Sequence, residues 1–176
     1  CDGIKLEGGK KIVKIIKYLT KKGIPVMGHV GLLPQTSSSF KAKGKNFSQK
    51  KQILEDAIAV STSGAFAIVI ECVVEKLAEN ITKIVSIPTI GIGASKHCDG
   101  QILVTDDILG LSGFYPKFVK RYANLNTLIE KAVKKYKKMQ KGKLAKLNFR
   151  SNKLKSQKKN FSTGGTMLAI KTASIL

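Results

Sequence analysis

Side chains that can transfer protons stand where this sequence predicts the ends of strands. Glu71 ends the apolar run 66–70, so its carboxylate is expected to be partly removed from water. A carboxylate in such a place suits a general acid or base, which makes Glu71 the candidate catalytic residue. The alternative from the residues alone is a rim glutamate held by a neighbouring lysine.

Lys5 and Glu7 lie two residues apart on a predicted strand, so they face the same side of it. Inside a barrel, a lysine and a glutamate are not both buried without a partner or a function. One interpretation is a structural ion pair at the barrel rim. Another is a Schiff-base aldolase, in which Lys5 attacks a keto group.

His29 follows a predicted strand and is flanked by Gly28 and Gly31, which leave room for a ligand beside the ring. The alternative is a structural histidine with satisfied hydrogen bonds. A further glycine-rich turn, 91–94, lacks the third glycine of the dinucleotide-binding pattern. We therefore expect it to bring backbone close to a substrate and not to bind a nucleotide.

The elements that must position these residues alternate along the chain. This alternation favours parallel strands with crossover helices, in an α/β barrel or an open doubly wound sheet. A polar loop is expected at 33–46. The predicted strands are 3–7, 24–28, 66–71 and 88–92, followed by an apolar run at 101–104 and a short segment at 106–111. The predicted helices lie near 12–19, at 53–60 together with the lysine and glutamine residues that precede it, and near 74–85 and 124–139.

The formal net charge of +21 comes largely from residues 131–160, which are rich in lysine and contain no acidic residue. A basic nucleic-acid-binding tail is one reading of this segment. Tyr136 and Phe149 are too few aromatic residues for a base-stacking platform, so nucleic-acid binding is not expected.

The chain of 176 residues is 43% hydrophobic, which suits one domain with a tail. It has no run of roughly 20 apolar residues and no secretory signal at its start, so a cytoplasmic protein is expected. Its 3 cysteines stand at no metal-ligand spacing.

Seven motifs, taken in order, resemble the ketopantoate hydroxymethyltransferase family. They are IKLEGG at 4–9, PVMGHVGL at 25–32, LEDA at 54–57, FAIVIECV at 66–73, IPTIGIGA at 87–94, CDGQ at 98–101 and PKFVKRY at 116–122.

The resemblance implies a TIM (β/α)8 barrel of the phosphoenolpyruvate/isocitrate lyase-like type. This chain would hold about the last five strand-helix units, at 1–142, followed by a basic, disordered tail at 143–176. The family's first three strands, which carry an Asp-Ser pair and a further Asp of the metal and substrate site, would precede residue 1.

The family's reaction moves a hydroxymethyl group from 5,10-methylenetetrahydrofolate to 2-oxoisovalerate, giving ketopantoate for pantothenate synthesis. The resemblance implies a Mg²⁺ cofactor and a large homo-oligomer such as a decamer. It also implies residue roles: Glu7 binds the metal, Lys5 and His29 bind the substrate, and Glu71 accepts the proton.

Two alternatives remain beside this expectation. A related Mg-dependent 2-oxo acid carbon-carbon lyase would share the barrel, but the Lys-x-Cys-Gly-His loop of the isocitrate lyase group is missing, and Cys72 is followed by Val73 and Val74. A nonfunctional barrel fragment with a nucleic-acid-binding tail is the other.

Overall fold

A computed structural model describes residues 2–35, 41–113 and 115–155, with side chains described as far as residue 142. It contains parallel strands joined by helices, as the alternation of elements predicted. The strands are β1 (Ile4–Glu7), β2 (Val26–Gly31), β3 (Ala67–Glu71), β4 (Thr89–Ile92) and β5 (Gly100–Gln101); the helices are α1 (Val13–Lys21), α2 (Phe47–Thr62), α3 (Glu75–Ile84), α4 (Thr105–Leu109) and α5 (Leu125–Lys155), with a 3-10 turn at Lys10–Ile12.

The five strands form one sheet in the order β1-β2-β3-β4-β5, and every pair is parallel. An open doubly wound sheet reverses its strand order at a switch point. The described strands instead succeed one another in a single direction. β1 and β5 are the outer strands, each with one described neighbour.

Alternate residues of the strands face the helices and form the core. On β3 these are Ile68 and Ile70, which are fully buried and pack in one cluster with Ile16 of α1 and Val60 of α2. A side chain at Gly28 would overlap Val60, so α2 approaches β2 closely because residue 28 is glycine. The intervening strand residues face the opposite side, which we call the open face.

Helix α2 begins at Phe47, one turn and a half before the first apolar position of the predicted helix. Asn46 caps it, because its Oδ1 accepts the backbone N–H of Gln49 at 2.9 Å. The first turn carries little core contact, and the Phe47 side chain is 82% exposed. Apolar periodicity therefore could not mark this start.

The C-terminal part of the predicted polar loop 33–46 is hydrogen-bonded to the residues that follow β3. The Lys43 N–H donates to the Cys72 carbonyl at 2.7 Å, and the Val74 N–H donates to the Lys43 carbonyl at 3.0 Å. Residues 36–40 of this loop lie outside the described residues. The C-terminal side of the loop is thus anchored directly after β3.

The apolar run 101–104 is mostly not a strand. β5 ends at Gln101, and Ile102 and Val104 are nearly half exposed before α4 begins at Thr105. An apolar run read from sequence does not distinguish a strand from a partly exposed connection. No described helix is long and apolar enough to cross a membrane.

The chain divides into two compact units, Cys1–Asn126 and Thr127–Leu176. The domain boundary predicted at residue 142 falls within α5, which continues past Gly142 to Lys155. Lysine, leucine and glutamine are good helix formers, and one glycine costs only about 1 kcal/mol in a helix interior. The rest of the predicted tail, 156–176, lies outside the described residues.

Asp99 joins the loop before β5 to the start of β4. Its Oδ2 accepts the backbone N–H of Thr89 at 2.8 Å and the Thr89 hydroxyl at 2.9 Å, and these hydrogen bonds lower the pKa of Asp99. Thr89 is fully buried, so the exposed carboxylate satisfies polar groups at the edge of the core.

We predict that Asp99→Asn lowers the melting temperature at pH 7 and that the difference from wild type shrinks as the pH falls below about 4. A pKa lower in the folded than in the unfolded state stabilises the fold at neutral pH, and this contribution is lost as pH falls through the folded pKa. Thermal melts at several pH values measure it, with the exposed Asp2→Asn as control. A difference that stays constant with pH would contradict the charge assignment.

Candidate active site

Glu7, His29 and Glu71 meet on the open face at the carboxyl ends of three neighbouring strands. Glu7 pairs with His29 across β1 and β2, and Gly31 pairs with Glu71 across β2 and β3. Residues 29 and 31 share a face because side chains alternate along a strand. The register therefore puts the histidine between the two carboxylates.

The His29 ring is completely buried between these carboxylates. Its Nδ1 lies 3.5 Å from Glu7 Oε1, and its Nε2 lies 3.2 Å from Glu71 Oε2. Neither ring nitrogen makes a well-aligned hydrogen bond with a described residue. A neutral imidazole has one N–H and one acceptor nitrogen, so it can donate to only one of two carboxylates at a time.

The two carboxylates are each slightly open to solvent, with 13% of the Glu7 side chain and 12% of the Glu71 side chain exposed. The Gln35 backbone N–H approaches Glu7 Oε2 at 3.4 Å. Both carboxylates can therefore reach a ligand on the open face. The His29 ring lies buried between them.

The backbone directly after Glu71 is strained. Cys72 has a φ of 50°, in the left-handed region that non-glycine residues seldom adopt. Its N–H donates to the Ile92 carbonyl at 2.8 Å, which holds this conformation. Nothing in the sequence signalled the strain, since cysteine does not favour a positive φ.

Cys72 is buried, and that burial, followed by the charge of Glu71, raises the pKa of its thiol. A thiol with a raised pKa is a poor nucleophile.

Lys5 is the one candidate residue that stays apart from the others. It shares the open face with Glu7 by strand alternation, but its side chain is exposed. Among the described residues no ion pair joins it to Glu7, so the rim ion pair weighed from sequence is absent there.

Magnesium prefers carboxylate and other oxygen ligands. Glu7 offers such oxygens at the mouth of the open face. Within the described part of the chain, however, no group of three or more His, Cys, Asp or Glu side chains could hold a metal alone. The described residues therefore do not form a metal site by themselves, and Glu7 could supply only one of the ligands that such a site needs.

The turn after β4 packs against an aromatic ring from a segment distant in sequence. Gly93 has a φ of +54°, and a side chain there would overlap the Phe118 ring. Two of the motifs noted in the sequence, 87–94 and 116–122, are therefore in contact. That contact could not be read from spacing, because 25 residues separate these two positions.

Residues 1–144 match the family model described as ketopantoate hydroxymethyltransferase. The chain belongs to this family. Relatives named 3-methyl-2-oxobutanoate hydroxymethyltransferase include one from Pelagibacter ubique, 56% identical over 138 residues, covering 78% of this chain and 54% of the relative. Those from Bartonella quintana and Chlorobium luteolum are 54% and 49% identical, each covering 77% of this chain and 50% of the relative.

The chain spans about half the length of these curated relatives. The family membership predicted from the motifs is confirmed. The matched region contains every candidate residue on the open face.

We predict that Gly31→Ala destabilises the chain by about 2–4 kcal/mol. Gly31 has a φ of +95°, and a side chain there would overlap the Glu71 carbonyl and Val73. The matched control is Gly23→Ala, where φ is +76° but nothing lies within 4 Å, so only the backbone cost of about 1 kcal/mol applies. Urea denaturation measures both, and equal losses would contradict the close packing beside Glu71.

Proposed function

We propose that the full-length protein transfers a hydroxymethyl group from 5,10-methylenetetrahydrofolate to 2-oxoisovalerate, giving ketopantoate in pantothenate biosynthesis. The observation that carries the proposal is the cluster of Glu7, His29 and Glu71 at one strand-end face of a chain from this family. The names of the relatives support the substrate, 3-methyl-2-oxobutanoate, which is the same compound.

The five-stranded sheet would be part of the wall of a (β/α)8 barrel. Its consecutive strand order, with all strands parallel, supports this proposal, since barrel strands succeed one another in one direction. The open face would then line the barrel interior. The site would lie at the carboxyl ends of the strands, where such barrels carry their active sites.

Glu71 would be the base. Its carboxylate would take the proton from C3 of the substrate, and the electrons of that C–H bond would form the C2–C3 double bond of an enolate. Water would cleave the two C–N bonds that hold the methylene carbon of the folate, releasing tetrahydrofolate and leaving that carbon as formaldehyde. The enolate carbon would then attack the formaldehyde carbon, and the resulting alkoxide would take the proton held by Glu71 to give the hydroxymethyl group.

Glu7 would be one ligand of a Mg²⁺ ion, with the other ligands from the part of the family fold that residues 1–176 do not span. When bound, the ion supplies positive charge that stabilises the enolate. Glu7 is suited to this because its side chain is partly open to solvent, with Oε1 beside His29 and Oε2 beside the Gln35 N–H.

His29 and Lys5 would hold the substrate in different ways. The buried His29 ring faces both carboxylates, so it would orient them and meet the substrate beside them. The exposed ammonium of Lys5 is free to approach the substrate carboxylate from the same face. The family resemblance supports a homo-oligomer such as a decamer, and the sequence features support a cytoplasmic location.

We predict that the full-length protein catalyses Mg²⁺-dependent exchange of the C3 proton of 2-oxoisovalerate in D₂O, and that Glu71→Gln slows it by about 10²–10⁴-fold. The amide keeps the shape of the carboxylate but cannot accept the proton. Proton NMR follows the exchange without the folate step.

The matched control is Glu75→Gln, which alters an exposed glutamate in the first turn of α3 and should leave the exchange rate unchanged. Exchange that persists in Glu71→Gln would reject Glu71 as the base. A wild-type protein without exchange would reject the proposed reaction.

A further inference from the structure

The turn that follows Glu7 is held by a helix and not only by the sheet. The Lys10 backbone N–H donates to Asp56 Oδ1 of α2 at 2.8 Å, and the Lys10 ammonium lies 2.6 Å from Glu55 Oε2. On the other side, the Gly8 N–H donates to the His29 carbonyl at 3.1 Å. Residues 8–10 are therefore fixed between β2 and α2.

The Asp56 side chain caps this turn. The 3-10 turn Lys10–Ile12 begins after Gly9, which has no side chain to cap it. The first N–H groups of a helical turn have no partner within it. The Asp56 carboxylate supplies the missing acceptor from 46 residues away in sequence.

The fit between Asp56 and the turn depends on Gly9. A side chain at residue 9 would overlap the Asp56 carboxyl group. Because residue 9 is glycine, the Asp56 carboxyl group has room to approach the turn and accept the Lys10 N–H.

Glu7 needs such a contact because of where it lies. It is the last residue of β1, so the chain leaves the strand directly after it, at Gly8. An anchor three residues later, from α2, restrains the chain beyond the end of the strand.

We propose that Asp56 is a positioning residue for Glu7, which fixes the turn after β1 so that the Glu7 carboxylate is held ready for the metal. This inference rests on the proposed function, in which Glu7 is a metal ligand. Asp56 itself touches neither the metal nor the substrate.

The test uses Mn²⁺ as a probe, with its affinity for the full-length protein measured by electron paramagnetic resonance. We expect Asp56→Ala to weaken binding by about 10–100-fold, as removal of supporting groups around metal ligands does. Asp56→Asn keeps an acceptor oxygen and should restore most of the affinity. Glu55→Gln, which removes only the exposed ion pair to Lys10, should leave it unchanged.

Amide hydrogen exchange at Lys10 is the second readout. It should be slow in wild type and in Glu55→Gln, and fast in Asp56→Ala. Gly9→Ala, which keeps Asp56 but displaces it, should reproduce both effects if Asp56→Ala does not fold.

The outcomes distinguish the positioning role of Asp56 from the metal site proposed at Glu7. Unchanged Mn²⁺ affinity in Asp56→Ala, with faster Lys10 exchange, would overturn the positioning role and leave Asp56 purely structural. Absence of Mn²⁺ binding in the wild-type protein would instead overturn the metal site at Glu7.

Discussion

The register between β2 and β3 is the constraint on which the rest of the structure depends. Pairing Gly28 with Ile68 directs one set of side chains toward the helices, and pairing Gly31 with Glu71 directs the other set toward the open face. A slip of one residue would exchange the two sets, burying carboxylates in the core and exposing isoleucines. The core and the candidate site are therefore specified by the same hydrogen bonds.

The site combines features that a fold chosen only for stability would avoid. A fully buried histidine has no aligned hydrogen bond among the described residues, and a non-glycine residue follows Glu71 in a left-handed conformation. Unsatisfied buried polar groups and strained residues each carry a cost of order 1–3 kcal/mol. The core cluster that contains Ile68, Ile70 and Ile16, on the other face of the sheet, fixes the strands that carry them.

Much of this arrangement could be predicted from the sequence, and the reason is geometric. Glu7, His29 and Glu71 each stand at or just after the end of a predicted strand, and parallel strands bring such ends to one edge. Their contacts could not be predicted, because they depend on register. The exposed position of Lys5, the strain at Cys72 and the reach of Asp56 to Lys10 arise from tertiary packing between distant segments. The helix predicted from Ile53 and the lysine and glutamine residues before it corresponds to α2. Only its exact start at Phe47 could not be predicted, because the first turn is hardly packed.

The two outer strands have a consequence for how these residues behave as a separate polypeptide. Backbone donors and acceptors on the far sides of β1 and β5 have no strand partner in the described sheet. β1 has four residues and includes the partly exposed Ile4. Lys5 is its one positively charged residue. An unpaired edge strand of this kind can pair with a strand from another chain, and a single charged residue gives it little protection. The free edges of β1 and β5 would let a barrel close in a longer chain. In residues 1–176 alone they would favour self-association.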